Sequence, residues 1–116
     1  DAAHNPAGAR ALADYLRDSH WTDATLVFGA MADKDLRGML EELAPVTARI
    51  ICTTPDTPRA ATAETVAAIV QSIDGYTRVE IVPDPHAALQ EACRSSERVV
   101  DAGSMFLIGP LRGILR

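Results

Sequence analysis

Short apolar stretches rich in β-branched residues alternate with longer stretches of helical period along this 116-residue chain. That alternation leaves few folds open. Ala9, Leu12, Ala13 and Leu16 follow the i, i+3, i+4, i+7 spacing of an amphipathic helix that Asn5 caps and Pro6 opens, ending near Ser19. Ala24 to Gly29 (ATLVFG) reads as a strand, and Ala30 to Lys34 as a loop. Asp35 caps a second helix with Leu36, Met39, Leu40 and Leu43 on one face, and Pro45 stops it. Arg49 to Thr53 is the next strand. Thr62 caps a third helix whose face is Val66, Ile69, Val70 and Ile73, closed by Asp74-Gly75. Val79 to Val82 is a strand. Asp84-Pro85 opens a fourth helix carrying Ala88, Leu89, Ala92 and Cys93. Arg98 to Ala102 is the last strand, Gly103-Ser104 a tight turn, and Met105 to Leu115 a closing helix interrupted at Gly109-Pro110.

Strands separated by helices require parallel crossover connections. The predicted fold class is therefore α/β, a Rossmann-like three-layer sandwich with a mainly parallel sheet flanked by helices. It forms one domain over residues 1–116. The strands read as continuously apolar, as they do when both faces of a sheet are covered. Apolar residues make up 47% of the chain and aromatics only 4%, so the core must be built from Ala, Val, Leu and Ile.

The net charge of −5 argues against nucleic-acid or anionic-membrane partners. No apolar run approaches the roughly 18 residues of a membrane span. No signal peptide is visible, and the expected location is cytoplasmic. Cys52 and Cys93 both lie in apolar, periodic segments and read as buried free thiols rather than a disulfide framework.

In such sheets ligands bind at the carboxyl ends of the strands. The loops there are Asp1 to Pro6, Ala30 to Asp35, Thr53 to Thr62, Pro83 to Pro85 and Ala102 to Met105. They hold no phosphate-binding P-loop, no G-x-G-x-x-G and no zinc-spaced Cys/His cluster. They do hold Asp1 and His4, an acceptor and a switchable donor three residues apart ahead of a helix start. Lys34 is a candidate anion contact between two acids. Arg59 is a candidate fork for a carboxylate or phosphate. Ser104 can present a hydroxyl and an N–H to an anion. Each also has a plain reading: solvated residues at a terminus, a solvated face, a surface arginine, a helix cap. His20, Trp21 and His86 read as structural or exposed helix residues.

Four segments then stand in order: DAAHNP, VFGAMADKD, TPRAATAE and DAGSMFLIG. Together they resemble the C-terminal domain of the dihydrofolate synthase/folylpolyglutamate synthase family, within the Mur ligase superfamily, over essentially the whole chain. The resemblance implies an enzyme with a larger N-terminal ATPase domain carrying the P-loop and the magnesium ligands. It implies ATP and Mg as cofactors. It also implies L-glutamate and a folate or dihydropteroate as substrates, joined through an acyl phosphate. By motif position, Asp1 contacts the nucleotide, and His4, the candidate catalytic residue, lies near the phosphates or the incoming glutamate. Lys34 joins them in nucleotide binding, and Arg59 and Ser104 are substrate contacts. The chain starts without the strand expected before Asp1, so it is expected to be a piece of a larger enzyme, inactive alone. A peptidoglycan-type Mur ligase domain and a stand-alone nucleotide-binding module are the competing readings. Within the former, the absence of D-N-P-R disfavours the branch that adds diaminopimelate or lysine.

Overall fold

The computed structural model describes residues 5–21, 23–73 and 78–103. Its elements run α1 (Pro6–Asp18), β1 (Thr25–Gly29), α2 (Leu36–Leu43), a 3-10 turn (Ala44–Val46), β2 (Arg49–Cys52), α3 (Ala63–Ser72), β3 (Arg78–Ile81), α4 (Pro85–Ser95) and β4 (Val99–Gly103). Each predicted strand and each of the first four predicted helices is present, with ends within a residue or two. The Asp74-Gly75 stop and the closing helix from Met105 to Leu115 lie outside the described residues.

All the described strand pairs are parallel, in the order β3-β2-β1-β4. The pleat sends alternate residues to opposite faces. Leu26, Phe28, Ile50, Cys52, Val100 and Ala102 join Ala9, Ala13, Leu16, Met39, Leu40, Val66 and Val70 in the larger core, beneath α1, α2 and α3. Val27, Ile51 and Val99 join Ala88, Leu89 and Ala92 beneath α4. Phe28, Leu26, Ile50 and Ile51 are fully buried, each contributing about 1.5–3 kcal/mol of transfer free energy. The sandwich is thus covered on both faces, as the sequence predicts.

Helix starts follow the predicted caps. Asn5 Oδ1 accepts from Gly8 N at 2.7 Å, Asp35 Oδ1 from Gly38 N at 2.9 Å, Thr62 Oγ1 from Thr65 N at 3.1 Å and Asp84 Oδ2 from Ala87 N at 3.2 Å. At the far end of α1, His20 takes a left-handed φ of 58°. Its N–H donates to Arg17 O and that of Trp21 to Leu16 O, both at 3.0 Å, which is a Schellman closure. Arg98 lies over the Trp21 ring, 5.4 Å from its centroid. These two residues are structural, as read from the sequence.

Two expectations fail. Cys93 is exposed rather than buried, because α4 turns Ala88, Leu89 and Ala92 inward and leaves Cys93 beside that face. β3 is not continuously apolar and covered. It is the outermost strand on its side of the described sheet, with Arg78 and Ile81 exposed and Val79 and Glu80 half-buried. Edge strands carry charge of this kind and so resist pairing with other chains.

Candidate functional site

The carboxyl ends of β1 and β2 are drawn together by an unusually close approach. A Cβ at Gly29 would lie 2.9 Å from Thr53 Cγ2 and 3.1 Å from Thr53 O, so any side chain at the last residue of β1 would push these neighbours apart. Gly29 also stands in register with Gly103 at the end of β4. Beyond the strands the backbones stay paired. Ala61 N donates to Ala30 O and Ala32 N donates to Arg59 O, each at 2.8 Å, with Met31 and Ala60 forming an antiparallel bridge. The β1–α2 and β2–α3 loops are therefore one mechanical unit rather than two mobile arms.

That unit is tied to the third loop. Thr53 Oγ1 donates to Pro83 O at 2.8 Å and Thr54 N donates to the same oxygen at 2.9 Å. Thr54 Oγ1 in turn accepts from Ala63 N, at 2.8 Å, at the start of α3. Backbone polar groups that a loop would leave to water are thus satisfied internally, which holds the rim's shape. An open depression of about 680 Å³ lies beside it, lined by Thr54, Asp56, Pro83, Asp84 and His86 among others. Neither Lys34 nor Arg59 lines it.

The welded rim carries Lys34 and Arg59. Both are exposed. The Arg59 guanidinium donates to Asp33 Oδ2 at 3.3 Å, with 71% and 64% of the two side chains exposed, so the pair holds the guanidinium only loosely. The amide of Lys34 is used within the loop, donating to Met31 O at 3.2 Å, while its side chain is left at the surface. Two cations at the strand ends of a parallel sheet suit a phosphate or carboxylate. Asp1, His4 and Ser104 lie outside the described residues. Their described neighbours, however, reach the same rim. Asn5 and Pro6 start α1 beside the first turn of α2, and Gly103 ends β4 opposite Gly29.

Sequence reading missed Asp33 as the partner of Arg59, and Thr53 and Thr54 as the pins of the rim.

The strongest charge cluster lies at the other end of the sheet. Arg49, at the start of β2, has a side chain only 8% exposed. It donates to both Glu80 carboxylate oxygens (2.8 and 2.7 Å), to Glu91 Oε2 (3.2 Å) and to Ser95 Oγ (2.6 Å). The Arg49 fork holds the Glu80 carboxyl below its ordinary range. Arg94, which also bonds Glu91, and then Arg49 do the same for Glu91. Glu80 raises Arg49 in return. This cluster anchors α4 to β2 and β3 and is structural. Burial pushes the Cys52 thiol up to about 12 and raises the Asp101 carboxyl above its usual value. Among the described residues no group of three or more His, Cys, Asp or Glu side chains could hold a metal, and no helix is long and apolar enough to cross a membrane.

Comparison with known proteins follows the same outline. Residues 1–108 match the family described as Mur ligase, glutamate ligase domain. The dihydrofolate synthase/folylpolyglutamate synthase of Mycobacterium tuberculosis is 37% identical over 95 residues, covering 79% of this chain and 19% of the relative. A solved structure of M. tuberculosis folylpolyglutamate synthase complexed with ADP and AMPPCP superposes with a TM-score of 0.77 at 32% identity, covering 90% of this chain and 26% of that one. A bifunctional folylpolyglutamate synthase/dihydrofolate synthase with Mn, AMPPNP and L-glutamate bound superposes with a TM-score of 0.77 at 27% identity, covering 92% and 25%. The chain thus spans about a fifth of the curated relative and a quarter of each solved chain.

Proposed function

The chain belongs to the Mur ligase, glutamate ligase domain family, and we propose that it is the nucleotide- and glutamate-facing domain of an ATP-dependent ligase that adds L-glutamate to dihydropteroate or a reduced folate. The observation that carries this reading is the welded rim. It presents Lys34 and Arg59 from one rigid unit at the strand ends, in a domain whose relatives are named for this reaction.

In the proposed reaction the substrate carboxylate takes the γ-phosphoryl group of ATP, and ADP leaves. The amine of glutamate attacks the carbonyl carbon of the resulting acyl phosphate. The bond from that carbon to the phosphate oxygen breaks, giving an amide and inorganic phosphate. Every species in the sequence is anionic, and a positioned cation stabilises developing negative charge. Lys34 is assigned to the nucleotide phosphates, and Arg59 to a substrate carboxylate. Arg59 exchanges the loose, exposed contact with Asp33 for the ligand.

Asp1 is assigned to the nucleotide, His4 to the phosphates or the incoming glutamate, and Ser104 to the substrate. Magnesium is assigned to ligands on a companion N-terminal ATPase domain, and no step here is routed through it. Packing this rim against that domain excludes water, which would otherwise hydrolyse the acyl phosphate.

The test is steady-state kinetics of the full-length protein carrying Lys34→Ala or Arg59→Ala, with ATP and glutamate varied separately. Loss of one charge-assisted contact is expected to raise KM for the ligand concerned by roughly 10-fold or more. Unchanged KM values for both ligands in both variants would refute the assignment.

A further inference from the structure

The β2–α3 loop, which carries Arg59, is closed at its base by a threonine hydroxyl. The first N–H groups of α3 have no partner inside the helix. Its own cap, Thr62, accepts from Thr65 N at 3.1 Å. Ala63 N, on a fully buried residue, donates instead to Thr54 Oγ1 at 2.8 Å, nine positions back along the chain. Thr54 is itself fixed, because its N–H donates to Pro83 O at 2.9 Å and Thr53 behind it is fully buried. Between Thr54 and Ala63 the chain runs out to Arg59 and back. Inside the loop Thr57 N donates to Pro55 O at 2.8 Å and Ala60 N to Thr57 O at 3.1 Å. At the tip, Arg59 O accepts from Ala32 N and Ala61 N donates to Ala30 O, which ties the loop to its β1–α2 neighbour. The Arg59 side chain is 71% exposed and its pair with Asp33 is loose. The backbone beneath it is therefore what places its charge.

We infer that Thr54 is a positioning residue for Arg59: its hydroxyl closes the base of the loop and so holds the guanidinium where a substrate carboxylate meets it. The inference rests on the functional reading above. Thr54 itself is assigned no contact with substrate. Valine has the shape of threonine but no acceptor. In Thr54→Val the half-sheltered Ala63 N–H loses its partner, and it regains one from water only if the base opens. The tip stays tied to the β1–α2 loop, so opening the base turns the segment from Pro55 to Ala60 about that tie and re-aims Arg59. Serine keeps the acceptor and so keeps the base closed.

The experiment measures steady-state kinetics of the full-length protein, with L-glutamate and the folate or dihydropteroate varied separately. Wild type is compared with Thr54→Val, Thr54→Ser, Arg59→Ala, and Arg59→Ala with Thr54→Val. Arg59→Ala shows which substrate the guanidinium holds, by a rise of roughly 10-fold or more in that KM. Thr54→Val is expected to raise the same KM by at least about 3-fold with kcat within about twofold of wild type, since misplacing a contact loses part of what removing it loses. Thr54→Ser is expected to stay within about twofold of wild type in both parameters. In the double variant the valine should add less than about twofold to Arg59→Ala, because no charge is left to misplace. A raised KM in Arg59→Ala with an unchanged one in Thr54→Val overturns the inference alone. So does a rise that serine shares, or one that persists undiminished without Arg59. Should Thr54→Val not fold at the assay temperature, Thr54→Ala, whose smaller side chain admits water to the freed N–H, decides by the same KM. Unchanged KM values in Arg59→Ala refute the functional reading, and the inference with it, whatever Thr54→Val does.

Discussion

Replacing Arg49 with methionine should cost this fold more than any surface change. The side chain is 8% exposed and makes four charge-assisted hydrogen bonds, two to Glu80 and one each to Glu91 and Ser95. Methionine keeps most of the stem and removes the fork. Breaking a fully buried pair costs about 3–5 kcal/mol. The Glu80 side chain is 32% exposed, so water recovers part of its solvation and the low end, about 3 kcal/mol, applies. With an unfolding slope of about 1.5 kcal/mol per molar urea, the midpoint should fall by roughly 2 M. Urea titration of the 116-residue chain, followed by far-ultraviolet circular dichroism, reads this directly. Adding Glu80→Gln to Arg49→Met should recover about 1 kcal/mol, because the stranded charge is then gone. A midpoint shift below ~0.3 M for Arg49→Met would refute the anchor, since ordinary surface substitutions fall within about ±0.5 kcal/mol.

Glu80, held below its ordinary carboxyl range by Arg49, contributes stability that is present above the unfolded-state value and lost as pH falls through the lower folded-state value. Glu80→Gln should therefore flatten the acid limb of the stability curve below about pH 4.3, measured by urea midpoints across pH. With Cys52 buried and pushed up to about 12, and Cys93 exposed, a disulfide reagent at pH 8 should modify Cys93 in the native protein and Cys52 only in urea. Native reactivity of Cys52 would contradict the burial. Gly29→Ala places a methyl 2.9 Å from Thr53 Cγ2 and 3.1 Å from a backbone oxygen, and should cost about 1–3 kcal/mol by urea titration.

The layout was legible because its signals are local. Asn5-Pro6, Asp35, Thr62 and Asp84-Pro85 each announce a helix through one capping side chain, and all four caps form. Alternating helix and strand periods then leave parallel pairing as the solution. Position inside the sheet was less legible. Val79 to Val82 reads with the other strands as apolar and covered, yet β3 is half exposed. The reason is that strand order is a tertiary property. Cys93 misled for a related reason: one step around α4 from a buried alanine lies outside the packed stripe. At the site, single residues with charge or unusual placement, Lys34 and Arg59, could be singled out from the chain. The joining of their loops through Met31 and Ala60 could not, because backbone pairing across 29 residues leaves no side-chain pattern.

The central claim is that this domain completes an ATP-driven amide-forming site. The most direct measurement supplies the full-length protein with ATP, L-glutamate and dihydropteroate or a reduced folate, and counts ADP and glutamylated product together, in wild type and in Asp1→Ala. One ADP per amide, with both falling by at least about 10²-fold in the variant, is the predicted result. Undiminished amide formation by Asp1→Ala, or ADP release with no amide formed by the wild type, would contradict it.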